Sequence, residues 1–424
     1  MLLLSMLLGG LFLTGCAGGT STSTPPPVSG TVYTYQGVTN VSLSQTYIPL
    51  SSFILESAEG SFSYNSYGGQ AAVVPALISG TYSSDHGYLD LTAFSGQTST
   101  TPAGQLANAG YALTIPGEAA LLRPGNNTTA PVIAAGMNSC PLVSSGETLL
   151  FVALPSGYWS AAGSAAYGSI QASTNATGET WTFSKQSQSL LAGSGSPPAY
   201  PTSFTGTCGQ GVSGYSIGVL PTVMWGSYDP QIFVSPSGFF TEETTGSPLQ
   251  AGSGAVASEV QQPLVGVIAP SSALDTTALV AGKYLGLMYD APPAIVSGAP
   301  TETQLVSFGS AVAGSGTTMT GGVFPNDDPS QTPAANITVN FGAQSATQNG
   351  LYTGVTVTTP NTTGNVANCT KNGGTAGTGA NGSLTCSFQA VAIAGNPNNK
   401  FAIFLVGVDP TQNGAPFGLY LYQQ

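Results

Sequence analysis

An all-β, antiparallel fold is predicted by three features of the sequence. Apolar and polar residues alternate with a period of two along much of the chain, hardly any segment keeps a 3.6-residue apolar stripe, and Asn-Gly turns recur. The segments Leu89 to Phe94 (LDLTAF), Asn336 to Phe341 (NITVNF) and Thr353 to Thr358 (TGVTVT) each place one apolar set on one face, as half-buried strands do. Thr148 to Leu154 (TLLFVAL) and Phe401 to Val408 (FAIFLVGV) are instead continuous apolar runs bounded by Pro or Gly, as expected of central strands. The best helix candidate is short, Ser271 to Val280, between Pro270 and Gly282.

The tetrapeptide Thr-Gln-Asn-Gly occurs at 347–350 and again at 411–414, and Asn-Gly suits a tight hairpin because both central residues tolerate positive φ. A second echo sets Phe151 to Trp159 (FVALPSGYW) against Phe233 to Phe240 (FVSPSGFF), with the two Pro-Ser-Gly triplets 81 residues apart, about two propeller blades. The expectation is two β subdomains of sandwich or barrel type, with a propeller-like N-terminal half as the alternative. The Gly/Ser/Pro-rich stretch from Thr245 to Ser258 is the candidate boundary, giving units 31–250 and 258–424.

The surface follows from composition. The chain has 424 residues, 41% of them hydrophobic, but only 17 acidic and 5 basic side chains, for a net charge of -12. A globule of this size exposes roughly 15,000 Å², so its exterior is built mainly of Ser, Thr, Asn, Gln and Gly. With only Arg123, Lys185, Lys283, Lys371 and Lys400 positive, the counterion-release term that drives nucleic-acid binding is missing, and so is a polybasic grip on anionic lipid.

Membrane attachment therefore needs a covalent or apolar device. Residues 1–13 form an apolar run (MLLLSMLLGGLFL) too short to span a bilayer comfortably, and it stops at small residues, as a cleaved export signal does. Leu13-Thr14-Gly15-Cys16 resembles the bacterial lipobox, which implies a signal peptide over 1–15 and acylation of Cys16, with two or three chains giving firm anchoring. Residues 16–30, with three consecutive prolines, read as an extended tether. Ala17 follows in place of the Asp that, in enterobacterial lipoproteins, favours inner-membrane retention, so for a Gram-negative host the resemblance implies the outer membrane. Four cysteines then remain in an oxidising compartment: Cys140, Cys208, Cys369 and Cys386. Of three possible pairings the nearest-neighbour one is preferred, closing loops that contribute about 4 kcal/mol for Cys140 with Cys208 and about 3 kcal/mol for Cys369 with Cys386. No CxxC occurs and His86 is the single histidine, so no zinc site is expected.

Gly282-Lys283-Tyr284-Leu285-Gly286, Phe324-Pro325-Asn326-Asp327-Asp328-Pro329, Phe401 to Gly407 and Gly418 to Gln424 together resemble a group of uncharacterised bacterial lipoproteins. The likeness covers the C-terminal region and the lipobox. It implies an exported, anchored protein and transfers no activity, cofactor or catalytic residue.

Catalytic constellations are sparse. A Ser/His/Asp or Cys/His device needs an imidazole, and His86 sits beside Asp85, four residues from Asp90, in what reads as a polar loop. The carboxylate pairs Glu56 with Glu59, Glu242 with Glu243 and Asp327 with Asp328 are glycosidase candidates, although neighbours on a strand face opposite ways. Asp327-Asp328, between Asn326 and Pro329, reads as an Asx-type turn rather than a calcium loop. Tyr158-Trp159 and Phe239-Phe240 follow Pro-Ser-Gly turns, where exposed rings would suit sugar stacking and buried ones core packing, the preferred reading. A concave site gathering Trp159, Trp181 or Trp225 beside acidic groups would mark a ligand pocket.

The resulting expectation is a lipid-anchored envelope protein of non-enzymatic type, without cofactor or metal. Its partners are the membrane, through its lipid, and a neutral glycan or another envelope component. The alternatives are a carboxylate-dependent glycan hydrolase and a purely architectural surface protein. Replacing the acylated residue, Cys16→Ser, is expected to leave the precursor unprocessed and release it from membranes, as fractionation and intact mass of the product would show.

Overall fold

The structure, a computed structural model, describes residues 31–39, 50–57, 59–67, 76–93, 110–123, 131–136, 143–153, 166–189, 203–208, 215–217, 229–245, 264–290, 302–309, 316–362, 364–371, 373–379, 382–412 and 415–424. Antiparallel ladders account for most of them, as the alternation predicts. The first ladder runs through β1 (Val32–Thr39), β2 (Leu50–Glu56), β3 (Ser61–Tyr67), β4 (Ala76–Asp85), β5 (Tyr88–Ala93), β6 (Gly110–Ile115), β7 (Ala119–Arg123) and β8 (Val132–Gly136), and β8 pairs back onto β1 to close a barrel. The second comprises β9 (Thr148–Ala153), β10 (Ala166–Thr174), β11 (Thr180–Ser189), β12 (Ser203–Cys208), β13 (Tyr215–Ile217), β14 (Asp229–Val234), β15 (Phe239–Thr245) and β16 (Leu264–Ile268), closed by β16 on β9.

The third sheet contains β17 (Tyr284–Asp290), β18 (Glu302–Gly309), β19 (Thr318–Val323), β20 (Ile337–Asn340), β21 (Leu351–Pro360), β22 (Thr375–Thr378), β23 (Leu384–Gly395), β24 (Ala402–Asp409) and β25 (Ala415–Gln423). β25 lies between β17 and β24, and β21 pairs with β23 as well as with β20. That extra pairing closes β21 onto β23, so eight strands form a third ring with β22 outside it, paired only to β23.

Strand pairing therefore groups the chain in three units where two were expected. β16 lies beyond the expected division at 250–258 yet closes the second barrel, because Gly/Ser/Pro-rich composition marks any long connection, inside a barrel as well as between domains. Nor is the Pro-Ser-Gly echo a blade repeat, since β9 to β16 close into one barrel; its first copy, at 155–157, lies outside the described residues. Its second copy, Pro236-Ser237-Gly238, turns the chain from β14 to β15, with Gly238 at φ 94°. The Asn-Gly hairpin expected at 349–350 is instead the end of a ten-residue connection, 341–350, from β20 to β21, with Gly350 at φ 87°. A two-residue turn does occur at His86-Gly87, φ 49° and 94°, joining the paired residues Asp85 and Tyr88. The expected helix begins late, at α1 (Thr276–Ala281), because the Asp275 carboxylate accepts from the Thr277 and Ala278 amides and sets the N-cap there. A second short helix, α2 (Val366–Lys371), carries Cys369, which is disulfide-bonded to Cys386 on β23. Cys208 is disulfide-bonded too, and Cys140 lies outside the described residues.

Each barrel has its own interior: Tyr35, Phe53 and Leu122 in the first, Phe151, Trp181 and Phe240 in the second, Tyr284, Phe341 and Leu419 in the third. A fourth apolar cluster binds the barrels together through outward-facing residues, among them Leu113 and Ile133 from the first, Leu150 and Phe239 from the second, and Leu287, Phe404 and Tyr422 from the third. Strands at this junction are buried on both faces, and β7, β8 and β24 are buried along their whole length.

Polar ties reinforce the junction. The Tyr88 hydroxyl reaches the carbonyls of Gly286 (2.9 Å) and Val306 (2.8 Å) in the third barrel and accepts from the Gly286 amide (3.1 Å). Arg123 meets Asp327 at 3.1 Å, and the Glu118 carboxylate accepts from the Ser237 amide and hydroxyl, linking the first and second barrels. Tyr88→Phe is expected to cost about 1–3 kcal/mol, since it removes the hydroxyl from buried backbone groups while conserving the ring. A lowered urea midpoint with unchanged slope would show it.

Candidate functional site

The outer face of the second barrel is polar where β10 and β11 run side by side. Ile170 and Ala172, with Trp181 and Phe183, turn inward, so Ser169, Gln171, Ser184 and Gln186 turn outward. Register sets Ser169 opposite Gln186 and Gln171 opposite Ser184. The same Ser-x-Gln spacing on two antiparallel neighbours thus produces a square of two hydroxyls and two carboxamides.

That square floors a cleft of about 520 Å³ between the second and third barrels. Glu147 and Thr148 border it on one side, Ile268 to Ser271 on another, and the Thr347-Gln348-Asn349 turn of the third barrel overhangs it. The turn is anchored on both barrels. Gln348 Nε2 donates to Ser169 Oγ (2.9 Å), Asn349 Nδ2 donates to the Pro270 carbonyl (3.0 Å), and the Gly350 amide donates to Gln344 Oε1 (2.7 Å). Glu147 is the one carboxylate among the described lining residues, and its Oε2 accepts from the Ser144 amide at 2.6 Å. Hydroxyls and carboxamides both donate and accept, so the cleft can match a neutral polyhydroxyl surface without stripping water from a full charge.

The carboxylate pairs anticipated from sequence are dispersed. Glu56 takes a bond from the Ser61 hydroxyl (3.3 Å), and Glu59 sits in the exposed turn before β3. Asp327 is spent on Arg123 and on the Leu305 amide (3.0 Å). Asp328 accepts from the Ser330 amide and hydroxyl and from Gln331 Nε2, which hold its carboxyl below the usual range, so this segment is the expected Asx-type turn. His86 is 60% exposed with Nδ1 2.7 Å from Asp85, and nearby Asp90 is raised, first by burial and then by the Asp85 charge. Among the described residues no group of three or more His, Cys, Asp or Glu side chains is placed to hold a metal ion.

Phe239 and Phe240 are both buried. Phe239 packs against Phe404 and Tyr422 at the junction, ring centroids 6.2 and 5.5 Å away, and Phe240 fills the second barrel. Trp181 lies inside that barrel, whereas Tyr158, Trp159, Trp225 and Cys16 fall outside the described residues.

An ion pair in the second barrel was not anticipated. Lys185 follows Trp181 and Phe183 at strand period and so points inward, where its ammonium meets both Glu242 oxygens (3.2 and 3.4 Å) and sits 5.6 Å from the Phe151 ring centroid. The side chains are 1% and 4% exposed. Burial lowers the lysine pKa, against the opposing pull of Glu242. The parity of the segment TWTFSK was the available signal.

Linked antiparallel barrels around a shared apolar junction define the class of this protein. No protein-family model matches the chain, and no curated protein matches it in sequence. Among solved structures it is similar to transferrin binding protein B of Haemophilus parasuis Hp5, over 93% of this chain and 77% of that one, at 10% identity and a TM-score of 0.26. The isotype 1 transferrin binding protein B of serogroup B Neisseria meningitidis aligns over 94% and 76%, at 9% identity and the same TM-score of 0.26. Similarity this low transfers no function.

Lys185→Met alone is expected to cost about 3–5 kcal/mol, since it strands a buried carboxylate, while Lys185→Met with Glu242→Leu recovers most of that loss. Urea unfolding of the double-mutant cycle measures both.

Proposed function

We propose that this chain is a lipid-anchored protein of the bacterial envelope, non-enzymatic, which binds a neutral glycan in the cleft between its second and third barrels. The carrying observation is the lining: Ser169, Gln171, Ser184, Gln186, Gln348 and Asn349 offer hydroxyls and carboxamides, with Glu147 as the one carboxylate among the described lining residues. A retaining or inverting hydrolase works with two carboxyl groups about 5 to 9.5 Å apart, and the described lining supplies one. The apolar border of Ile268, Ala269 and Pro270 gives a sugar's less polar face a surface to rest on. Acylation of Cys16 and the tether over 16–30 would hold this cleft clear of the bilayer.

Glycan-array screening of the mature chain, followed by calorimetry on the best hit, tests the reading. Gln171→Ala and Gln186→Ala are each expected to weaken binding roughly five- to tenfold, by removing one hydrogen-bonding group worth about 1 kcal/mol or a little more. Glu147→Gln should leave an intact, uncleaved glycan bound. Binding indifferent to the two glutamines, or glycan cleavage abolished by Glu147→Gln, would overturn it.

A further inference from the structure

Three closed ladders consume nearly every strand edge, and among the described strands β22 alone has a neighbour on one side only. This strand follows α2, which the disulfide between Cys369 and Cys386 ties to β23 with Cα atoms 6.0 Å apart. Thr375, Gly377 and Thr378 are exposed. The direction of the free groups follows from the ladder. The Gly379 amide donates to the Ser383 carbonyl, so hydrogen-bonded positions alternate back along the hairpin through Gly377 opposite Thr385 and Thr375 opposite Ser387. Ala376 and Thr378 consequently aim their N–H and C=O groups away from β23, into the open edge.

Proteins commonly guard such an edge with Lys, Glu or Pro. Thr375-Ala376-Gly377-Thr378 contains none of these, and Lys371 is the only charged side chain in residues 361–386. Of the three exposed large apolar side chains among the described residues, Val366 (46%) and Leu384 (39%) flank this strand in sequence.

We propose that the outer edge of β22 is a self-association surface that pairs antiparallel with β22 of a second copy of this chain. The outward groups fix the register: Ala376 of each copy stands opposite Thr378 of the other, exchanging four backbone hydrogen bonds, and Gly377 faces Gly377 across the two-fold axis. Charge selects a second copy as the occupant. The edge is uncharged, so self-pairing opposes no like charges there, in a chain whose net charge of -12 otherwise disfavours association between its own copies.

Gly377 offers a charge-swap test. Its φ lies outside the positive region, and an added Cβ would meet only Thr385 Oγ1 at 3.4 Å, an ordinary contact. Two differently tagged copies of the full chain, co-expressed and extracted in mild detergent, are expected to co-purify as wild type. Gly377→Glu in both copies should reduce recovery of the second tag roughly tenfold or more, as should Gly377→Lys in both, because like charges then meet on the axis. Gly377→Glu in one copy with Gly377→Lys in the other should restore it, which a merely misfolded variant could not do. Absence of wild-type co-purification, as when another protein occupies the edge, overturns the proposal. So does wild-type recovery in both like-charged pairs, or failure of the mixed pair to recover.

Discussion

A closed barrel has no edge strand to offer a neighbour, so three closed barrels in one chain can be joined only through the side chains on their outer walls. Everything else in the architecture follows from that constraint. The walls that meet are apolar on their outward side as well as their inward one, and burying each Phe or Tyr there contributes about 1.5–3 kcal/mol. Phe404, Tyr420 and Tyr422 form an aromatic set on the third barrel, with ring centroids 6.3 Å apart along Phe404–Tyr420 and Phe404–Tyr422, and Phe239 of the second barrel packs onto it. Backbone polarity is dealt with at the same place by Tyr88, whose hydroxyl satisfies groups in the wall it abuts.

This explains which parts of the architecture the sequence disclosed. Strands with one wet wall, such as Ile337–Asn340, alternate apolar with polar, and strands at the junction, such as Thr148–Ala153 and Ala402–Asp409, read as unbroken apolar runs. Both patterns were legible as strands. Closure was not, because it depends on pairings between distant segments: β1 with β8, β9 with β16, and β21 with β23. No local residue pattern encodes those, and the Gly/Ser/Pro-rich stretch before β16 looks like a domain boundary although it lies within one barrel.

The candidate site was hidden for a related reason. Ser169, Gln171, Ser184 and Gln186 are ordinary surface residues by type, and only register brings them together. The residues that stood out chemically, Asp327, Asp328 and Glu242, prove to hold turns and barrels in place. In a chain with so few charges, most of the conspicuous carboxylates go to internal contacts, leaving the cleft a lining mainly of amides and hydroxyls.

The third ring carries a consequence for biogenesis. Its last member, β25, is threaded between the first strand of that ring and β24, with the Gln423 amide bonded to the Phe401 carbonyl and the Gln424 amide to Lys283. During synthesis from the N-terminal side the first two barrels can complete themselves in turn, whereas the third stays a split cylinder until residues 415–423 have been made. Its inner wall, including Phe417, Leu419 and Leu421, therefore depends on residues 415–423, and a product shortened before residue 415 would present two finished barrels beside an unzipped, sticky sheet.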